Sequence, residues 1–311
     1  MILIMWYAYL TCSWNIVGGF AGQLSFAHPA FAGLGAYVST LLFMYCGLTP
    51  WLGMLVGGLF AVLIVITIGY PCFKLRGAYF AITSIALAEV LRIAVENTDE
   101  LFGIKIGGPM GLLVPLRGHS PLYMQFTTKE HYYYVILAMM LFGLFVTHRI
   151  TKSKMGYYLA AIRNDVDAAL ALGVNVTKYR LLAAAISAFL AALGGTFYAQ
   201  FVLYIHPSGI MGQYLAFELV FIAIVGGRGT FIGPLLGAFT LVPLSELSRI
   251  YLGGGYSGVH LLVYGFLVML VILFMPRGLS APAENIYLAL ERRLRPAWAL
   301  ERGDTDAAAK R

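Results

Sequence analysis

Residues 147–180 read THRITKSKMGYYLAAIRNDVDAALALGVNVTKYR, and they form the longest polar interruption in an otherwise strongly apolar chain. This stretch, here called the central loop, carries six Lys or Arg residues against two Asp residues. Charged side chains at this density are too costly to lie in the hydrocarbon of a bilayer. The chain is therefore expected to leave a membrane here, with membrane-spanning segments on both sides.

The central loop has a helical pattern of its own. Ser153 is a good N-cap, apolar residues from Met155 to Leu170 recur at helical spacing, and Gly173 stands where a left-handed helix end is expected. The pattern predicts one short amphipathic helix over residues 154–172. Two interpretations stay open: an ordinary basic loop that holds the topology, or a docking element for a soluble partner.

Composition decides the broad class of the protein. Of 311 residues, 60% are hydrophobic and 11% are charged, with a mean hydropathy of +0.81. A soluble domain cannot hide that much apolar surface, so we predict an all-α, polytopic transmembrane helix bundle. The net charge of +7 is explained by Lys and Arg in loops on the cytoplasmic side, not by nucleic-acid binding.

The apolar runs predict about nine membrane spans, with eight to ten allowed. A span needs roughly 20 apolar residues. The expected spans are Ile2–Val17, Ala30–Cys46, Trp51–Phe73, Ala78–Val95, Tyr132–Val146, Leu181–Leu203, Leu215–Val225, Phe231–Leu247 and Val259–Met275. This gives a transmembrane domain over residues 1–279, including the central loop, and an amphipathic or disordered tail over residues 280–311.

The distribution of basic residues predicts the orientation. If the central loop is cytoplasmic, sixteen of the twenty-one Lys and Arg residues fall on that side and four on the other. The amino end is then expected outside and the carboxyl end inside. The basic tail is expected to lie along anionic membrane lipid.

Two glycine-rich breaks interrupt apolar segments in the two halves of the chain. The first glycine break covers residues 18–29 and the second covers residues 226–230. Helices interrupted at corresponding places often mark a transport pathway, whereas small residues also serve close helix packing. Both readings stay open for the breaks and for the Gly-Ala-aromatic triplets that follow at 35–37 and 237–239.

Several ionisable or polar residues fall within the predicted spans. Glu89 with Arg92, and Glu246 with Arg249, are three apart on one helix and favour internal ion pairs. Glu218 has no local basic partner, and such a group usually faces a bundle interior or water. The candidate residues of a translocation pathway are Gly22, Gln23, Ser25, His28, Glu89, Glu218, Gly226 and Gly227.

Motifs of enzymatic chemistry are absent from the sequence. There is no GxxxxGK[ST] nucleotide-binding loop, no HExxH and no GxSxG. We therefore expect no catalytic residue, bound cofactor or metal in this chain. If ATP drives its action, a separate chain must hydrolyse the ATP, and a helix at the membrane surface must receive the movement.

Several motifs together indicate a family. They are residues 22–25 (GQLS), 35–37 (GAY), 75–83 (LRGAYFAIT), 161–165 (AIRND), 168–174 (AALALGV), 225–230 (VGGRGT) and 233–238 (GPLLGA). In this order they resemble the LivM-type permeases of branched-chain amino-acid importers of the ATP-binding-cassette class. Asp167–Gly173 resembles the EAA-xxx-G motif of such permeases, with Asp in place of Glu.

The resemblance implies a subunit of a heteromeric importer in a bacterial inner membrane. Its partners would be a second, LivH-like permease, two cytoplasmic ATPases that use the ATP, and a periplasmic binding protein. The residues implied in ATPase coupling are Arg163, Asp165, Asp167, Ala168, Ala169 and Gly173. The alternatives are an importer for urea, short amides or another small solute, an ion-coupled carrier or channel that uses Glu218 and His28, and an assembly subunit without a pathway.

Overall fold

The computed structural model describes residues 1–73, 75–101, 103–118, 120–252, 265–266, 268–271, 273 and 278–280. Within these residues the protein is a bundle of α-helices with four two-residue strands. The predicted all-α class is confirmed. The helices are α1 Ile2–Asn15, α2 His28–Cys46, α3 Pro50–Ile64, α4 Tyr70–Cys72, α5 Ala78–Glu96, α6 Lys129–Thr151, α7 Lys154–Asn164, α8 Val166–Ala171, α9 Val176–Val202, α10 Pro207–Ile210, α11 Gln213–Gly226 and α12 Gly233–Leu252.

Six helical segments of the described residues are long and apolar enough to cross a membrane. They are His28–Cys46, Pro50–Cys72, Ala78–Glu96, Lys129–Thr151, Val176–Val202 and Pro207–Gly226. These six correspond to the second through seventh expected spans, so the protein is a multi-pass membrane protein.

The first and eighth expected spans are also helical but do not belong to that group of six. The first is α1, which has 14 α-helical residues and continues as a π-helix over Ile16–Phe20. The eighth is α12, which contains Pro243, Glu246 and Arg249. Most of the ninth expected span and the tail beyond residue 280 lie outside the described residues.

Short strands gather at one end of the bundle, here called the strand end. Strands β1 (Glu100–Leu101) and β2 (Ile104–Lys105) form one antiparallel pair. Strands β3 (Leu112–Leu113) and β4 (Tyr204–Ile205) form another, which ties the α5–α6 connection to the end of α9. The central loop lies at the opposite end, because α6 leads away from the α5–α6 connection and α9 returns to it.

The middle of the bundle is held by a close contact between α2 and α9. The Thr196 hydroxyl donates to the Gly35 carbonyl at 3.1 Å, and a Cβ atom on Gly195 would lie 1.7 Å from the Ala32 carbonyl oxygen. Small residues allow two helix backbones to approach closely in a membrane. Gly35, in the first Gly-Ala-aromatic triplet, thus serves close helix packing.

The central loop contains two helices, so the expectation of one helix over residues 154–172 was wrong. Ser153 caps α7 as expected, since its Oγ accepts from the Gly156 amide at 3.4 Å. Asp165 then adopts an extended backbone, with φ −153° and ψ 116°, and ends α7. Its carboxylate accepts from the amides at the start of α8, and this capping competes with a continuous helix.

Two boundaries also differ from expectation. The membrane helix α9 already begins at Val176, so Lys178 and Arg180 lie in its first turns and not in a loop. At the first glycine break, Gly18 and Gly19 remain helical within the π-helix, and the chain leaves the helix only at Ala21. A π-helical turn is rare and is often found at functional sites.

Candidate functional site

The first glycine break is a non-helical segment inside the bundle. The chain is non-helical from Ala21 until α2 begins at His28, and Gly22 has a left-handed φ of +71°. The Ser25 carbonyl accepts a hydrogen bond from the buried Trp14 indole at 2.6 Å. Non-helical backbone is tolerated at membrane depth only within protein or beside a cavity, and these contacts provide such surroundings.

The second glycine break connects α11 to α12 through a compact turn. Gly227 has φ +112°, and a Cβ atom on Gly226 would lie 1.9 Å from the Gly233 carbonyl oxygen. The Thr230 hydroxyl donates to the Gly227 carbonyl at 2.7 Å and accepts from the Gly233 amide at 3.1 Å. Gly226 and Gly227 thus let the end of α11 meet the start of α12 in a tight turn.

The buried Asn15 side chain joins the two breaks. Its Oδ1 accepts from the Gly229 amide at 2.8 Å, and its Nδ2 donates to the Thr230 carbonyl at 2.9 Å. A Cβ atom on Gly19 would lie 2.6 Å from the Gly229 nitrogen. The two breaks therefore cross in direct contact, and we call this place the glycine crossing.

Arg163, at the end of α7, lies against the glycine crossing. A Cβ atom on Gly22 would lie 3.1 Å from Arg163 Cγ, and one on Gly229 would lie 2.0 Å from Arg163 Nη1. The aliphatic stem thus contacts the first break and the guanidinium contacts the second. The crossing is also cationic, because it holds the two arginines Arg163 and Arg228. Partial burial lowers the pKa of Arg228, and the charge of Arg163 lowers it further.

The helices of the central loop have an inner and an outer face. Ile162 and Ala169 are buried in a cluster with Val176, at the base of α9. On the outer face, Tyr157 is 71% exposed and Leu172 is 82% exposed. Tyr157 and Leu172 thus leave apolar side chains uncovered on this face. Of the residues implied in ATPase coupling, Ala169 therefore belongs to the inner face.

Other residues implied in ATPase coupling determine where α8 begins and ends and what it contacts. Asp165 Oδ1 accepts from the amides of Asp167 and Ala168 at 2.8 and 3.0 Å. Asp167 forms an exposed ion pair with Arg76 at 2.9 Å, which links α8 to the start of α5. Gly173 has φ +79°, so the predicted left-handed helix end is confirmed.

His28 takes part in a buried hydrogen-bond chain. Its Nε2 contacts Ser187 Oγ, and the Ser187 hydroxyl donates to the Ser13 carbonyl. Because a hydroxyl has one proton, Nε2 must carry the hydrogen and donate to Ser187. The Nδ1 atom is then an acceptor, and it has no partner among the described residues.

A small cavity lies beside the first break. It has a volume of about 20 Å³, and the polar residues Ser25, His28 and Ser84 line it together with apolar side chains that include Val17 and Phe80. That volume is enough for about one water molecule. Gln23 is also buried, and its side-chain amide has no hydrogen bond among the described residues.

Glu89 and Glu218 each have partners away from the crossing. Glu89 forms the expected ion pair with Arg92, which also contacts Glu96. Glu218 is 4% exposed and accepts from the Tyr7 hydroxyl at 2.7 Å. The structure thus unites the two breaks with Arg163 but leaves these two carboxylates in separate local networks.

Several residues of the site were not identified from the sequence. They are Tyr7, Trp14, Asn15, Tyr157 and Leu172. Asn15 is a polar residue within an apolar span, a signal that marks functional positions in membranes. Within the described residues there is no group of three or more His, Cys, Asp or Glu side chains that could hold a metal ion.

Comparisons with known proteins agree with the motifs. The family model described as branched-chain amino acid transport system / permease component matches residues 1–275. The permease protein LivM of the high-affinity branched-chain amino acid transport system of Escherichia coli K12 is 29% identical over 299 residues, covering 89% of this chain and 68% of that protein.

Two further relatives have related names. The LivH permease protein of the same kind of system in Salmonella typhimurium is 27% identical, covering 89% of this chain and 92% of its own length. A probable LivM permease protein of Methanocaldococcus jannaschii is 26% identical over 242 residues, covering 73% of this chain and 65% of that protein. No solved structure matches this chain.

Proposed function

The chain belongs to the family of permease components of branched-chain amino acid transport systems, and from this premise we propose that it carries branched-chain amino acids across a bacterial inner membrane. Membership makes it a transport subunit and not an enzyme. The proposed driving force is ATP hydrolysis by two cytoplasmic partner subunits. A second, LivH-like permease would complete the pathway, and a periplasmic binding protein would deliver the substrate.

The observation that carries this proposal is the outer face of the central loop. Tyr157, Leu170 and Leu172 expose large apolar side chains there, and the two leucines belong to the EAA-like motif. A partner that covers them would remove apolar surface from water, which favours association. We therefore assign this face, here called the docking face, to the ATPase subunit.

Contacts of the inner face suggest how a movement of the central loop would be transmitted to the pathway. Ile162 and Ala169 pack against the base of α9, and Arg163 contacts both breaks of the glycine crossing. A push on the docking face would thus reach the residues proposed to border the pathway, Gly22, Gln23, Ser25, His28, Gly226 and Gly227. In this scheme both carboxylates lie at the side of the pathway: Glu218 joins α11 to α1, and Glu89 forms an ion pair within α5.

The proposed topology has about nine spans with the carboxyl end in the cytoplasm. It consists of the six long apolar segments, α1 with its π-helix, α12, and the apolar run at 259–275. Sixteen basic residues on the central-loop side support this orientation. Residues 1–279 are the proposed permease domain, and residues 280–311 the proposed cytoplasmic tail.

A charge on the docking face tests the ATPase assignment. Leu172→Glu is expected to abolish co-purification of the ATPase subunits from solubilised membranes, because a carboxylate in the apolar contact would be buried without a partner. The amount of inserted permease should not change, since Leu172 is exposed in this chain.

Leu116→Glu is the matched control, because Leu116 is 66% exposed in the α5–α6 connection at the strand end. It should leave the ATPase subunits attached. If Leu172→Glu retains the ATPases and ATP-driven uptake of leucine into proteoliposomes, the docking face is wrongly assigned. Full leucine uptake by this chain without ATPase subunits would contradict the proposed function itself.

A further inference from the structure

Arg163 occupies a position that its place in the motif does not reveal. Because the resemblance implies Arg163 in ATPase coupling, its side chain is expected to face the soluble partner. Here its stem lies against Gly22 and its guanidinium against Gly229, two residues that are 207 positions apart in the chain. We propose that Arg163 is a positioning residue that transmits movement of α7 to both breaks of the glycine crossing. This inference rests on the proposed function and specifies one residue of its mechanism.

At the glycine crossing, hydrogen bonds and backbone contacts hold the two breaks together. Asn15 hydrogen-bonds both the Gly229 amide and the Thr230 carbonyl, and the backbones of the two breaks are in contact at Gly19. Asn15 belongs to α1, which leads into the first break, whereas Gly229 belongs to the second. A displacement that separates the breaks must therefore break the two hydrogen bonds of Asn15.

Glycine residues allow the two backbones to approach closely at the crossing, and they also allow the backbone there to rotate. Gly22 and Gly229 have φ values of +71° and +78°, which side-chain-bearing residues rarely adopt. Such positions can absorb backbone rotation at the ends of helices. A movement at the crossing would change where α2 and α12 begin, and α2 begins at His28, beside the small cavity.

Arg163 connects the glycine crossing to the helix α7. α7 is capped by Ser153 and anchored by the buried Leu159 and Ile162, so it moves as one piece. Among the described residues no ion pair or side-chain hydrogen bond of Arg163 competes with its contacts at the crossing. The nearby charge of Arg228 gives the crossing a second cation, so that the two arginines repel each other. Removing the Arg163 side chain would uncouple α7 from both breaks and leave its docking face intact.

The test uses the full transporter with its binding protein and ATPase subunits, reconstituted in proteoliposomes. The variants are Arg163→Ala, Arg163→Lys and the control Arg149→Ala, an exposed arginine near the end of α6. Three quantities are measured: the amount of ATPase that co-purifies, ATP hydrolysis with and without loaded binding protein, and leucine uptake.

Arg163→Ala should retain the ATPases and basal ATP hydrolysis but lose uptake and its coupling to hydrolysis. Coupling between sites commonly amounts to roughly 5- to 150-fold, so we expect uptake per ATP to fall by about tenfold or more. Arg163→Lys should recover part of it, because lysine keeps an aliphatic stem against Gly22 and one charge near Gly229. Arg149→Ala should behave like the unmodified chain.

Two results would overturn the inference while leaving the proposed function in place. One is loss of ATPase attachment in Arg163→Ala, which would make Arg163 a direct contact of the partner. The other is uptake per ATP equal to that of Arg149→Ala. Failure of the unmodified complex to couple ATP hydrolysis to uptake would instead overturn the proposed function, and the inference with it.

Discussion

Glu218 illustrates how single residues are accommodated inside this bundle. Its carboxylate is buried in α11, and the Tyr7 hydroxyl of α1 donates to it at 2.7 Å. A buried polar group without a hydrogen bond costs about 1–3 kcal/mol, and a charged one costs more. The pair therefore joins two helices that are distant in sequence, and this favours a structural role for Glu218 over a proton relay.

Removing the donor tests this role. Tyr7→Phe is expected to destabilise the protein by about 1–3 kcal/mol, because the buried Glu218 carboxylate loses the hydrogen bond from the Tyr7 hydroxyl. The midpoint of thermal unfolding in detergent should fall by a few degrees, on the order of 2–4 °C per kcal/mol. Tyr134→Phe, at an exposed tyrosine of α6, is the control and should not shift it. An unchanged midpoint in Tyr7→Phe would mean that another donor satisfies the carboxylate, and Ser245 lies close enough to do so.

At the scale of elements, the contact between α2 and α9 depends on the absence of side chains. A Cβ atom on Gly195 would lie 1.7 Å from the Ala32 carbonyl oxygen, and one on Gly35 would lie 2.1 Å from that of Ala192. The atoms that an added Cβ would meet belong to the backbone, and backbone atoms cannot move aside as the end of a flexible side chain can. The two helices also carry His28 and Ser187, so their spacing fixes the hydrogen bond between these residues.

Gly195→Ala is therefore expected to push α2 away from α9. Overpacking a tight contact costs typically 1–3 kcal/mol, and the unfolding midpoint should fall accordingly. Gly209→Ala provides the comparison, because a Cβ atom there would lie 3.9 Å from its nearest neighbour, the Cβ of His206. Equal unfolding midpoints for the two variants would contradict the assigned contact.

At the scale of the whole molecule, the described residues form a bundle with two distinct ends. Strands β1 to β4 and the irregular α5–α6 connection lie at the strand end. The central loop and the glycine crossing lie at the other end, where Arg163 of α7 meets both breaks. The excess of Lys and Arg on the central-loop side predicts that this end faces the cytoplasm.

Sidedness can be measured by labelling single cysteines in a Cys46→Ser, Cys72→Ser background, in which Cys12 is buried. A membrane-impermeant maleimide should label Tyr157→Cys only in inside-out vesicles and Leu116→Cys only in intact spheroplasts, because the two exposed residues lie at opposite ends. Labelling of Tyr157→Cys from outside the cell would invert the topology and exclude the docking of a cytoplasmic ATPase.

The sequence by itself determined the features that depend on local composition. Apolar runs of span length identified the membrane segments, and Glu89 with Arg92, three residues apart, identified an ion pair within one helix. Ser153 and Gly173 marked helix ends, because capping depends on neighbouring residues only. The division of the central loop at Asp165 was missed, since apolar periodicity continues through that residue while its side chain caps a new helix.

Only the tertiary structure decided which distant residues meet. Asn15 and Gly229 are 214 positions apart, and no periodicity or motif predicts the hydrogen bond between them. The same holds for Arg163, whose motif gives its helix but not the direction of its side chain. These contacts depend on how helices pack and cross, and packing is set by the shapes of many side chains at once.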